Sequence, residues 1–248
     1  MSELLVEKKG AILHVQFNRP EKKNAINKDM YSGLTAALVD ATNDFGIRVV
    51  VLSGAGTTFT AGNDIFDFMD DIPTDDTAPG FQFIKAIHNF PKPLIAAVQG
   101  SAVGIGTTAL LHCDIVIAAS NAKFSMPFVT LGLVPEAGSS YLFPKLVGHA
   151  KASEIFLTGR SFGAAEALDM GLLNLVDEDP LARAMEFAEL ISGQPPTSVL
   201  NTKALLKSGH HGQVEAVMSA EGLLFRIALE SDEAQSAFMK FMSSKKKG

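Results

Sequence analysis

Gly100-Ser-Ala-Val-Gly104-Ile-Gly106 is the stretch on which the reading of this chain turns. It follows an apolar run, Leu94-Ile-Ala-Ala-Val98, that reads as a buried strand. It opens a helix-like run, Thr107-Thr-Ala-Leu-Leu-His112. A strand, a glycine-rich turn and a helix aim backbone N–H groups at an anion. Glycine allows the sharp turn and lets a ligand come close. Taken alone, the turn is equally a tight connection with no ligand.

Upstream, Arg48-Val-Val-Val-Leu-Ser53 reads as another buried strand, ended by Gly54-Ala-Gly56. The glycines lack the spacing of a dinucleotide fingerprint, and the chain has no P-loop Gly-Lys-Ser/Thr. Phe59-Thr-Ala-Gly-Asn-Asp64 follows. Nearer the N-terminus, Leu4–Glu7 and Ala11–Phe17 read as strands around a Lys9-Gly10 turn. Leu13, Val15 and Phe17 alternate with His14 and Gln16, so His14 is expected to face outward. Asn27 caps a helix whose apolar face is Ile26, Met30, Leu34, Leu38 and Ala41. The acidic run with Asp70, Asp71, Asp75 and Asp76 lacks an EF-hand ligand ladder and reads as a solvated loop.

Downstream, Gly80–Asn89 reads as a helix stopped by Pro91-Lys-Pro93, and Asp114–Ala118 as a strand. Phe128–Gly138 is a loop or short helix. Lys151–Thr158 and Ala164–Met170 are short helices, and Leu172–Val176 is a last strand. Only helical patterns follow: Leu181–Ser192, Thr197–Lys207, Gln213–Leu229 and Asp232–Phe241. Strands alternating with helices, then a helical tail, predict an α/β core with a helical C-terminal extension.

With 248 residues, 47% of them hydrophobic, the chain can bury a sizeable core. A net charge of −6 argues against nucleic acid as a partner. A single cysteine, Cys113, excludes an internal disulfide and reads as a small buried hydrophobe. The apolar run Ala102–Ala119 contains His112 and Asp114 and reads as a helix plus a strand, not a membrane span. The first residues lack the pattern of a signal peptide, and the C-terminus is not a peroxisomal signal, so a cytoplasmic protein is expected. His88, His112, His149, His210 and His211 lack metal-ligand spacing and read as surface or packing residues; no metal is expected. Lys245–Lys247 reads as a solvated tail.

Two glycine turns after two strands, Ala61-Gly-Asn63 and Gly104-Ile-Gly106, can each point one N–H inward and together make an oxyanion hole. Glu136 stands in a Pro-Glu-Ala-Gly loop after apolar residues. A carboxylate beside such a hole can move a proton on a carbon next to a carbonyl. From spacing alone, Glu136 reads first as a surface loop residue near a helix start, where its charge is favourable.

These strings, in this order from about Asn18 to about Asp177, resemble the crotonase, or enoyl-CoA hydratase/isomerase, superfamily. Asn18-Arg-Pro with Asn24-Ala25 is similar to the family's first signature, and Phe59–Asp64 to its first oxyanion turn. Gln99–Gly106 with Cys113-Asp114 is similar to the second. Leu157-Thr-Gly-Arg with Ala165-Glu-Ala167 and Gly171-Leu172 is similar to the downstream signature. The resemblance implies an α/β fold: a spiral of ββα repeats over residues 1–194 carrying the acyl-CoA site, then a helical trimerisation region over 195–248. It implies a homotrimer or dimer of trimers, with an acyl-CoA thioester as substrate and no separate cofactor. Carried over by position, the oxyanion donors are the N–H groups of Asn63 and Ile105. Lys22, Asn24, Ala25, Ala61, Gly62, Asp64, Ile65 and Gly104 would hold the CoA part, and the segment Phe66–Phe90 would line the acyl pocket.

Hydratases of the family use two glutamates, and here Thr108 and Phe128 stand at those positions. Glu136 matches the single acid of peroxisomal-type Δ3,Δ2-enoyl-CoA isomerases. Ala61–Asp64, Ala102–Ile105, and Pro135-Glu136 through Ser139-Ser-Tyr141 with Phe143-Pro-Lys145 are similar to that group too. The resemblance therefore implies an isomerase with Glu136 as its base in an apolar pocket including Phe128 and Leu133. The alternatives are an enoyl-CoA hydratase or another acyl-CoA-processing crotonase, a non-catalytic acyl-CoA-binding protein, and a serine hydrolase built on Gly159-Arg-Ser161-Phe-Gly163 with Asp169 and His210.

Overall fold

The structure, a computed structural model, describes residues 2–70, 73 and 75–245. Asp71 of the acidic loop and Lys246 and Lys247 of the basic tail lie outside the described residues. In chain order the elements are β1 (Leu4–Lys9), β2 (Ile12–Phe17), α1 (Lys28–Asn43), β3 (Val49–Gly54), α2 (Ile65–Asp70) and α3 (Pro79–Asn89). Next come β4 (Leu94–Val98), β5 (Ser101–Val103), α4 (Ile105–Thr108), β6 (Ile115–Ala118), β7 (Lys123–Ser125), α5 (Ser139–Val147) and α6 (His149–Thr158). The chain ends with β8 (Phe162–Gly163), α7 (Ala164–Asp169), β9 (Leu175–Val176), α8 (Pro180–Ser192), α9 (Pro196–Ser208), α10 (His211–Leu229) and α11 (Asp232–Lys245).

The main sheet runs β1-β2-β3-β4-β6-β9, antiparallel only between β1 and β2. A small sheet, β5-β7-β8, forms a second layer. Two isolated parallel bridges, Ile26 with Asn63 and Thr60 with Ala102, lead into β5 and so into that layer. Each main-sheet strand from β2 to β6 is therefore followed by a short segment in the second layer. That repeat is the spiral of ββα units, and it places the segments after β3 and β4 side by side.

Alternation along the strands sorts the two faces. Leu13, Val15, Val50, Leu52, Leu94, Ala96 and Val98 join the main core with α1 and α3. Ile12, Val49, Val51, Ile95 and Ala97 pack instead on Ala184 and Ala188 of α8. Covering of this second face overturns the expectation for His14: it is buried, and its Nε2 lies 2.7 Å from Ser53 Oγ. The helices after residue 194 do not stand apart from the spiral. Phe225 and Leu229 of α10 and Ala234 and Phe238 of α11 enter the main core. Lys203 of α9 buries its ammonium against Asp114 Oδ2 at 2.7 Å. No helix among the described residues is long and apolar enough to cross a membrane.

Candidate active site

The site begins with the two glycine turns. Thr60 N–H donates to Ser101 O at 3.0 Å, and Val103 N–H donates back to Thr60 O at 3.1 Å. This pairing presses Gly62 onto the second turn. Gly62 has φ +83°, and a Cβ there would stand 2.6 Å from the Val103 carbonyl oxygen. Only glycine fits so close an approach. Gly104, at φ +56°, then starts α4. Among the described residues neither the Asn63 N–H nor the Ile105 N–H donates to a backbone carbonyl. Ile105 is the first residue of α4, whose leading N–H groups have no partner within the helix. Two free donors thus sit on adjoining turns.

Glu136 is not a surface residue: it is 4% exposed, and it lines a cavity of about 300 Å³ together with Asn63. The apolar wall beside it comes from Ile26, Tyr31, Phe81, Ile84 and Phe225. Phe128 and Leu133, expected to form that wall, are buried in the main core, and neither lines the cavity. Part of the segment Phe66–Phe90 does form one side, through Asp75 and Thr77–Phe81. Thr108, one turn after Ile105 on α4, donates its hydroxyl to Glu136 Oε1 at 2.5 Å. Burial pushes the Glu136 carboxyl up to about 8; the Thr108 hydrogen bond opposes this, and the negative Glu221 adds to it. Tyr31 faces the same space. Its hydroxyl donates to Asn63 Oδ1, and burial, with the charges of Glu136 and Asp67, holds the phenol protonated.

The residues expected to hold CoA divide. Asn24 is fully buried at φ +54°, and its amide nitrogen donates to Ala55 O at 2.9 Å and Thr58 O at 2.6 Å. That amide organises the loop and has no N–H left for a ligand. Asp64 is ion-paired to Arg19 at 2.7 Å, and the same guanidinium reaches Ala25 O at 3.2 Å. Ala61 N–H is used by Lys23 O at 2.9 Å, and Gly62 N–H by Thr60 Oγ1 at 3.0 Å. Ile65 opens α2, while Lys22 is exposed at the end of a 3-10 turn.

Sequence reasoning missed three groups. Tyr31 hid on the apolar face of α1, Thr108 read as an inert replacement, and Glu221 was a lone acid in a helical stretch. It also missed a cluster. His88, His211 and Glu215 bring ligand atoms within 4.8 Å of one another. The His88 and His211 rings stack at 4.3 Å and 16°, so their lone pairs do not converge unless one ring turns. The serine-hydrolase reading fails on geometry. Ser161 follows the end of helix α6, not a strand, and among the described residues no hydrogen bond joins it to Asp169 or His210. Cys113 is a half-buried thiol that burial pushes up to about 12, which leaves it unreactive.

Comparison with known proteins decides the family. The enoyl-CoA hydratase/isomerase profile matches residues 7–247. The chain belongs to this family. The rat protein named enoyl-CoA delta isomerase 2 is 36% identical over 98% of the chain. The chain spans 64% of that relative's length and the same share of its human counterpart. The Escherichia coli 2,3-dehydroadipyl-CoA hydratase is 32% identical, with 99% of this chain and 97% of that one covered. Among solved structures, Pseudomonas aeruginosa OdaA superposes with a TM-score of 0.96 at 41% identity, covering 98% of this chain and 99% of its own. An enoyl-CoA hydratase/isomerase from Pseudoalteromonas atlantica gives 0.94 at 40%, with 98% of each chain covered. The crotonase fold that the resemblance implied is the fold the chain has.

Proposed function

We propose that the protein is a Δ3,Δ2-enoyl-CoA isomerase working with one carboxylate and an oxyanion hole. The observation that carries this is a single buried acid, Glu136, in the cavity beside the glycine turns, with Thr108 and Phe128 where two-glutamate hydratases need acids. The Glu136 carboxylate takes a proton from C2 of a 3-enoyl thioester. The electron pair moves onto the thioester oxygen, giving a dienolate. The N–H groups of Asn63 and Ile105 stabilise that oxygen, each by about 3 kcal/mol. Glu136, now protonated, returns the proton to C4, and the double bond lies between C2 and C3. No water is added, so one acid suffices. A carboxyl near pH 8 is well matched to both halves of the transfer. Lys22 and the backbone of Ala25, Ala61, Ile65 and Gly104 are assigned to the CoA moiety.

The test is an ultraviolet assay with a 3-enoyl-CoA and, separately, a 2-enoyl-CoA, repeated with Glu136→Gln. Conjugation forming from the 3-enoyl substrate, and falling about 10²–10⁴-fold in the variant, is expected. Rapid loss of conjugation from the 2-enoyl substrate, with 3-hydroxyacyl-CoA as product, would make the protein a hydratase.

A further inference from the structure

Glu136 sits at the start of a turn whose conformation is unfavourable. Ala137 has φ +60°, a left-handed region where a residue with a Cβ is disfavoured. Gly138 follows at φ +70°, and α5 begins at Ser139. Two side chains from elsewhere hold this turn. His112 Nε2 donates to Ala137 O at 2.7 Å. Glu221, from the middle of α10, accepts from Gly138 N–H with Oε2 at 2.6 Å and from Ser140 N–H with Oε1 at 2.8 Å. Glu221 is 6% exposed, and among the described residues it has no basic partner. Both its oxygens act as acceptors at the N-terminus of α5, as suits a carboxylate.

A buried acid without a cation, spent on two backbone N–H groups, is costly unless the turn it holds matters. We infer that Glu221 is a positioning residue: its carboxylate fixes the turn at Ala137–Ser140 in the conformation that presents Glu136 to the cavity. It does not line the cavity of about 300 Å³ and so acts through Glu136 alone. This rests on the reading of Glu136 as the base. The groups facing Glu136 are Tyr31 from α1, Thr108 from α4 and Glu221 from α10, and Lys28, Asp64, Asp67 and Asp75 line the same cavity. Across a second cavity, Asp76 and Lys85 stand on the α3 side and Glu215 on α10. Of these, Glu221 is the negative group that raises the Glu136 carboxyl.

The experiment compares Glu221→Gln, Glu221→Asp and the double variant Glu221→Gln/Ala137→Gly in the 3-enoyl-CoA assay across pH. The amide removes the charge and sets an N–H against a backbone N–H. Expected are a kcat lower by about 10- to 100-fold, a nearly constant KM, and an acid limb of the pH profile displaced toward lower pH. Glycine at 137 adopts positive φ freely, so the double variant should regain several-fold in kcat. Glu221→Asp keeps the charge but shortens the tether, so it should lose kcat with the limb unmoved; it also serves if the amide variant does not fold. Wild-type kcat and an unmoved limb in folded Glu221→Gln would overturn the inference. So would a loss that Ala137→Gly fails to relieve. Glu136→Gln in the same assay separates the two ideas. If it is fully active, the base is misassigned; if it is inactive while Glu221→Gln is normal, only the role of Glu221 falls.

Discussion

Thr108 shows how a residue's type misleads when its partner is out of sight. A threonine cannot act as a general acid or base, and as a replacement for a glutamate it reads as a loss. In place, its hydroxyl is the hydrogen-bond donor to Glu136. A hydrogen bond to a charged group contributes about 1.5–3 kcal/mol, and this one favours the ionised carboxylate. Thr108→Val keeps the shape and removes the donor. The Glu136 carboxyl should then titrate higher, since Thr108 holds it down. On the proposed mechanism Glu136 must be ionised to take the C2 proton, so the acid limb of the rate profile should move to higher pH and kcat at neutral pH should fall. A profile that does not move would show that the hydroxyl has no hold on the base. The turns at Gly62 and Gly104 were legible because their strings are local, whereas Glu136 stood out only through the family resemblance. Tyr31, Thr108 and Glu221 were not legible, because each matters through a contact far along the chain. Asn24 was found as part of a motif, but its amide serves the fold.

Elements were legible where the pattern was long. The apolar strands β2, β3 and β4 and helices α1, α3, α8 and α10 carry enough periodic residues to be read. The strands β5, β7 and β8 have three, three and two residues, too few to show a period, and they form the second layer. Helix α5 escaped because it starts from a glycine and carries Pro144 inside. The C-terminal helices α9 and α10 were read as helices, and their exposed side chains bear on the proposed assembly. Leu205 and Leu206 are each 74% exposed, and Leu223, Leu224 and Ile227 are exposed as well. Apolar residues grouped on helices in this way favour burial against another surface. In sedimentation equilibrium the wild type should run as a trimer or a dimer of trimers. Leu205→Glu/Leu206→Glu should shift it to smaller species. A monomeric wild type would remove the assembly proposal.

At the scale of the molecule, the buried groups set how stability varies with pH. His112 is held down to about 3 and His88 to about 4, in both cases chiefly by burial. The unfolded chain binds protons at these sites below about 6.5. Their contribution is therefore lost as pH falls from there through the folded values. Glu136 acts in the opposite sense. Its folded value of about 8 lies above the unfolded 4.5, so the folded protein holds a proton that the unfolded chain has released. That contribution is present below about 4.5 and is lost as pH rises toward 8, a change on the order of a few kcal/mol. The carboxyl proposed as the base thus costs stability in the range where the proposed reaction would run. Glu136→Gln should melt close to the wild type at pH 5. It should melt several degrees higher at pH 9, at roughly 2–4 °C per kcal/mol for a chain of this size. Calorimetric melts of both proteins at the two pH values check this. A difference in melting temperature that is the same at pH 5 and pH 9 would show that Glu136 does not titrate between them, and the raised carboxyl on which the isomerase reading leans would go with it.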